Sequence, residues 1–462
     1  MRTASATTAG EWLANDPRFD ALFTALRAGG PRIWRAGNLW GSSQALTLAA
    51  CLEHAPGPWL VLTATQSEAD SFALDLEQFG ASAAVLPARG GDEGSSGADA
   101  DAVRDRLRFA QSLEAPAERR PRLMVAPLLS ALQPLPLSGE IEGSFATVQR
   151  GSRLGLEDLL QKLVNAGYSR EPLAERPGEV SLRGDVLDVF GYADEVPLRV
   201  ELFDDVIESI RRFDPETQRS IETLERAAVC LASDPGGVEN GQGQQLLTRL
   251  SSSTTVATVE PLRVDEQAHG LRVRSTSHAR ALDELASTLK KCLRLELQSL
   301  PSGEHDFDGR SVQGLATGLP GAAMALAKEI RAGFRVRVLC RTEVEQEKLK
   351  ETLAEALPAD RATLKSVELE VGALAKGFRL PKAKLIAINH HELAGVTGVG
   401  RTRLQKKTSH KVRALESFFE LKVGDLVVHA VHGLARYLGL ERMERGGGEE
   451  DHLHLSLSLI HI

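Results

Sequence analysis

A chain of 462 residues, 42% hydrophobic and 26% charged, is too long for one ordinary domain and has the balance of a globular protein of about three or four. No apolar run approaches the roughly 20 residues of a bilayer span, and Met1 to Gly10 lacks a basic start followed by an apolar stretch, so the reading excludes a membrane protein and a secretory signal and expects the cytoplasm. The net charge of -8 excludes a global electrostatic footprint for nucleic acid, so any DNA contact is local.

In chain order, segment 31 to 65 predicts strand, loop, helix, strand. Pro31 to Arg35 is the first strand, a glycine turn lies near Gly37 and Gly41, and an apolar run from Ala45 to Leu52 leads to Trp59 to Ala64. A helix over 67–79, a strand at Ala83 to Leu86, a loop from Gly90 to Asp101, a helix near 102–113 and a strand at 122–126 complete a first α/β layer. A second unit is expected from about Pro127, with an amphipathic helix over 156–166. Val196, Leu198, Val200 and Leu202 alternate with Pro197, Arg199, Glu201 and Phe203, the period-2 signal of a strand. With 180–190 and 206–213 this predicts a small antiparallel sheet backed by a helix.

A third unit, about 311 to 396, carries a helix at 321–331, a strand at 335–340, a helix at 343–356 and a strand at 384–388, again α/β. Arg401, Arg403, Lys406, Lys407, Lys411 and Arg413 form the one dense basic stretch, read as a solvated linker over 397–418. From Phe419 the pattern is all-β, with short strands at 425–429, 434–443 and 451–455 that suit a small barrel. The expected division is therefore 1–126, 127–213, 214–310, 311–396, the linker, and 419–462.

Two constellations tempt a chemical reading. Asn38 to Ala45 sits between strand and helix where a phosphate loop sits, but Ser43, Gln44 and Ala45 stand where such a loop needs its second glycine, the lysine for the phosphates and the hydroxyl for magnesium. Gly41 remains, and the loop is expected not to bind nucleotide. His429 and His432, or His452 and His454, lack an evident third ligand, so no metal is expected. Cys51, Cys230, Cys292 and Cys340 have no CxxC spacing and are read as inert thiols.

The run RPGEVSLRGDVLDVF, Arg176 to Phe190, and its continuation from Pro197 to Arg219 resemble the module shared by the excinuclease subunit UvrB and the bacterial transcription-repair coupling factors (Mfd). The run LKVGDLVVHAVHGLARYLGL, Leu421 to Leu440, resembles the RNA-polymerase-interacting domain of the coupling factors, found also in CarD-type regulators. Segments Val371 to Pro381 and His391 to Gly395 are similar to the third domain of the same family.

The resemblance implies a degenerate P-loop-like α/β domain with an inserted α+β module, a second α/β domain and an incomplete β-barrel. It implies two partners, UvrA on the module and the RNA polymerase β subunit on the barrel, and no catalysis in this chain. For UvrA, Arg183 is the first choice, with Phe190 as apolar anchor and Arg170, Asp188 and Arg199 behind it. Phe190 as core, and Arg199 paired with Glu201, remain alternatives. For the polymerase, a strand edge carrying Met443, Leu440, Glu441 and Arg436 is expected.

The family's ATP and magnesium belong to a translocase motor, whose motifs the sequence lacks. DNA contact is through that motor and is weak or missing here. The ending Leu457 to Ile462 departs from the family pattern and reads as a truncated gene model. The competing readings are a translocase with its motor cut off, a UvrB-like helicase, which Gln44 argues against, and a stand-alone CarD-like regulator.

Overall fold

The computed structural model describes residues 8–28, 33–55, 57–89, 100–137, 145–191, 194, 196–230, 238, 243–315, 318–356 and 361–395, and separately 426–429, 433–445 and 448–457. The chain divides into two compact units, 1–405 and 406–462. The basic stretch Arg401 to Arg413 lies outside the described residues, as does the turn at His432.

In the larger unit, α1 (Ala9–Leu13) and α2 (Pro17–Arg27) lead into β1 (Ile33–Gly37), α3 (Ser43–His54), β2 (Trp59–Thr63), α4 (Gln66–Gln78), β3 (Ala84–Val85), α5 (Ala100–Glu114), β4 (Leu123–Pro127) and α6 (Leu128–Leu132). Local chemistry sets several of these starts. The Asp16 carboxylate accepts from the Arg18 amide ahead of α2, with Pro17 at the first helical position, and Thr65 accepts from the Glu68 amide ahead of α4.

The chain then makes an excursion through β5 (Phe145–Gln149), α7 (Leu156–Asn165), β6 (Ser169–Arg170), β7 (Glu179–Arg183), β8 (Val186–Phe190), β9 (Leu198–Phe203), β10 (Val206–Phe213), β11 (Ser220–Leu224) and β12 (Arg226–Cys230). It returns through α8 (Leu246–Arg249), β13 (Thr255–Val259), α9 (Pro261–Arg274), α10 (Thr276–Leu289), β14 (Arg294–Leu297) and β15 (His305–Asp306).

The strands on either side of the excursion build one seven-stranded sheet in the order β15-β1-β14-β13-β2-β4-β3, parallel throughout. Its middle strands β2 and β4 are buried at every residue, as a sheet covered on both faces requires. Alternation assigns the faces: Trp59 and Val61 join the core containing α1 to α4, while Leu60 and Leu62 join the core of α5, α6, α9 and α10.

The excursion forms a six-stranded sheet ordered β11-β10-β9-β8-β7-β6, with the pair β5-β12 beside it. Neighbours from β7 to β11 are antiparallel and β6 joins β7 in parallel. Two tight turns hold it, Gly184 between β7 and β8 and Asp204 between β9 and β10, at φ of 60° and 56°. Helix α7 packs Leu159, Leu160 and Leu163 against Val180, Leu187, Val189, Val200 and Ile210.

Two expected boundaries need correction. The stretch after Pro127 is not the module's start, because α6 is fully buried in the first unit's core. Nor does the module end at Phe213, since β11 pairs with β10 and β12 pairs with β5. Hydrophobic alternation marks strands but does not say which sheet receives them.

The third group comprises α11 (Leu319–Arg331), β16 (Arg335–Cys340), α12 (Glu343–Ala356), α13 (Arg361–Leu364), β17 (Glu368–Val371), β18 (Phe378–Leu380), β19 (Leu385–Asn389) and α14 (His390–Leu393). Its sheet runs β17-β16-β19-β18, with β18 alone antiparallel. One face packs on α11 and α12. From the other, Leu339, Phe378, Leu380, Leu385 and Ala387 enter the core of α1 to α4. Phe378 meets Phe79 edge-on at 6.4 Å, and the Arg337 guanidinium lies 3.5 Å over the Trp12 ring. The two α/β groups thus share one hydrophobic core.

The smaller unit is a three-stranded antiparallel sheet of β20 (Leu426–His429), β21 (Gly433–Arg445) and β22 (Gly448–Leu457), in that order.

Candidate functional site

The face of the six-stranded sheet turned away from α7 is polar, and its cross-strand register places charges in rows. One row reads Ser181, Asp188, Arg199, Arg211, Thr223; the next reads Arg183, Val186, Glu201, Ser209. Asp188 is its electrostatic centre. Its carboxylate accepts from Arg183 Nη2 at 2.7 Å and from Arg199 Nε and Nη2 at 2.7 and 2.9 Å, and its side chain is 1% exposed.

Arg199 is further fixed by Gln218 Oε1 at 2.8 Å and by the Phe213 ring, 4.2 Å beneath its guanidinium carbon. The hydrogen bonds to Asp188 push its pKa above the ordinary value. Arg183 differs. It touches Asp188 through one nitrogen only and its side chain is 46% exposed, so the rest of its donor fork faces solvent.

The sequence candidates therefore separate. Arg183, Asp188 and Arg199 come together as one network. Arg170 does not join them: it sits on β6 in register with Val180, whose side chain faces α7. Phe190 is 5% exposed and is not the exposed anchor expected of it; it is buried, as the alternative reading held. Arg199 pairs with Asp188 rather than Glu201, because 199 and 201 lie along one strand whereas Asp188 is directly opposite; Glu201 binds Arg211 and Ser209.

An exposed apolar residue of this face is Phe203, 72% accessible, two residues beyond Glu201 on the same side of β9. Its signal was in the alternation, where a phenylalanine occupies the polar parity after Arg199 and Glu201.

The loop between β1 and α3 holds Asn38 and Gly41 in left-handed conformations, φ of 52° and 56°. The amides of Ser42, Ser43 and Gln44 are taken. Ser42 N–H donates to Lys376 O, Ser43 N–H to Trp40 O and Gln44 N–H to Gly41 O. Gln44, 5% exposed, donates to Leu39 O and to Glu260 Oε1, and Ser43 Oγ donates to Trp40 O. Ser43 and Ala45 are fully buried in α3. A phosphate loop works through free N–H groups converging on the ligand, and this one offers none of these three.

On the smaller unit, Arg436, Leu440, Glu441 and Met443 all fall on β21. They stand in register with Ser456, Leu453, His452 and Glu450 of β22. The partner on the other side, β20, reaches only Gly433 to Arg436, so among the described residues the second edge of β21 from Tyr437 to Arg445 has no strand beside it. Cys51 and Cys340 are buried, which raises both thiol pKa values, to about 11 for Cys340, where Glu345 adds to the effect; Cys292 is likewise buried. Among the described residues there is no cluster of potential metal ligands.

Residues 147–234 match the UvrB interaction domain, and residues 421–458 match the CarD-like/TRCF RID domain. The chain is thus a multidomain α/β protein that carries one module of the UvrB interaction type and one of the CarD-like type. It matches the N-terminal part of the transcription-repair-coupling factors. The Bacillus subtilis (strain 168) factor is 25% identical over 420 residues, 72% of this chain and 36% of the relative. The Staphylococcus haemolyticus (strain JCSC1435) factor is 26% identical over 397 residues, 67% and 33%. The chain therefore spans about a third of the length of these relatives.

Proposed function

We propose that this chain is a binding scaffold of transcription-coupled nucleotide excision repair, joining UvrA through the six-stranded module to the RNA polymerase β subunit through the C-terminal sheet. The observation that carries the reading is the presence of both module types on one chain whose relatives are named for coupling transcription to repair. On the module, the face bearing Arg183, Asp188 and Arg199 supplies preorganised guanidiniums, which suits a partner offering carboxylates. On the C-terminal sheet, the open edge of β21 suits pairing with a strand of the polymerase, main-chain bonds giving affinity and side chains selecting the partner.

No step of chemistry is assigned to this chain. ATP-driven translocation along DNA, with its ATP and magnesium, is placed in the portion of the intact family outside it. No helix among the described residues is long and apolar enough to cross a membrane, in keeping with work beside DNA in the cytoplasm. The decisive experiment is a three-way capture: the immobilised chain should retain UvrA and the polymerase β subunit together, and retention of neither would overturn the reading.

Two narrower results are expected. The purified chain should show no useful Mg-ATP affinity by isothermal titration, because the charge partner and the metal hydroxyl are missing at Gln44 and Ala45; micromolar binding abolished by Gln44→Glu would contradict this. Met443→Arg should reduce capture of the β subunit at least tenfold by setting a charge into an apolar strand contact, about 1.4 kcal/mol or more. Unchanged capture would move the polymerase site elsewhere.

A further inference from the structure

The segment Val371 to Pro381 stood out in the sequence, yet nothing in the partner reading uses it. In the fold its turn, Leu374 to Gly377, lies against the loop after β1. Each of its four amides has an acceptor: the outer two bind side chains of their own α/β group, and the inner two bind side chains of the other. Leu374 N–H donates to Asn389 Oδ1 at 2.8 Å, and Asn389 Nδ2 donates back to Leu374 O at 3.1 Å. Ala375 N–H donates to Asp75 Oδ1 of α4 at 2.8 Å. Lys376 N–H donates to Ser42 Oγ at 3.2 Å, and Ser42 N–H donates to Lys376 O at 3.1 Å. Gly377 N–H donates to Glu392 Oε1 at 3.0 Å.

These acceptors are placed, not fortuitous. Asp75 is 3% exposed and Asn389 1%. Asn389 and Glu392 also complete the N-terminal capping box of α14, so the same side chains that start that helix hold the turn. The backbones meet closely because the contact positions are glycine. A Cβ on Gly41 would lie 2.9 Å from Lys376 O, and one on Gly377 would lie 2.7 Å from a Val312 methyl carbon. Leu374 and Phe378, at the two ends of the turn, are buried in the core shared with α1 to α4.

We propose that the loop between β1 and α3 serves as the socket of a nucleotide-independent joint, with Leu374–Gly377 as its plug. The Lys376 carbonyl oxygen accepts from the Ser42 amide as a phosphate oxygen accepts in a working phosphate loop, so a donor that such a loop would turn to phosphate is bound to protein. The socket is thereby closed to nucleotide by occupation, over and above the loss of the lysine. The two α/β groups move as one body, and the partner module is carried on a rigid platform. This inference is independent of which proteins the chain binds.

The test uses the full chain and two readouts. By hydrogen exchange, Asp75→Leu and Ser42→Ala should each speed exchange of the 374–377 amides at least tenfold while β2 and β4 amides keep their protection; Asp75→Asn, which retains an acceptor oxygen, should largely preserve it. By isothermal titration, Gln44→Lys combined with Ala45→Thr should still fail to bind Mg-ATP. If Asp75→Leu accelerates every amide alike, it reports global unfolding, and Ser42→Ala, which deletes only a hydroxyl, decides. Unchanged exchange at 374–377 in Ser42→Ala, or micromolar Mg-ATP binding by the double variant, overturns the joint.

Discussion

Asp188→Ala is expected to destabilise the six-stranded module by about 3 to 5 kcal/mol, the cost of removing one partner from a buried ionic network. The carboxylate is the shared acceptor for Arg183 and Arg199 and is itself almost wholly buried. Arg199 would keep only Gln218 and the Phe213 ring as partners, with its charge largely shielded from water at 16% exposure. Arg183, half exposed, would swing into solvent at little cost. Urea titration should show the module melting ahead of the seven-stranded sheet, read as loss of amide protection across 186–190 and 198–203. Asp188→Asn keeps the shape and one acceptor oxygen and should cost less. A midpoint for Asp188→Ala within error of the parent would mean that Asp188 is not the network's centre.

Arg183→Ala should have the opposite signature, a large loss of partner affinity with almost no loss of stability. Its pair with Asp188 is half exposed, where such pairs contribute about 1 kcal/mol or less, and Asp188 keeps both bonds from Arg199. At an interface centre the same guanidinium becomes desolvated and fully hydrogen-bonded, and its truncation costs about 2 to 5 kcal/mol, well over tenfold in UvrA affinity. Surface plasmon resonance against UvrA, beside a thermal melt of the same variant, reads both quantities. Equal UvrA affinity for parent and variant would remove Arg183 from the site. A fall in affinity matched by a fall in melting temperature would mean that it acts only through the fold.

What was legible in the sequence is what depends on neighbours along the chain. The period-2 pattern over 196–203 announced β9 and the apolar spacing of 156–166 announced α7, because alternation and helical faces are local properties. The module's ends were not legible: β11 and β12 read as charged or mixed stretches, and only hydrogen bonding to β10 and β5 makes them its strands.

The candidate site divides along the same line. Arg183, Asp188 and Arg199 could be nominated from a motif, but that one buried carboxylate orders two guanidiniums is set by the opposition of β8 and β9, residues 11 apart in sequence. Phe190 and Phe203 look alike in sequence. One is buried and the other stands in solvent, because a side chain's exposure depends on what the rest of the chain lays over its sheet. The plug at Leu374–Gly377 was beyond reach altogether, since its acceptors Ser42 and Asp75 lie some three hundred residues away. A hydrogen bond across that separation is decided by tertiary packing, which brings together groups that no local pattern links.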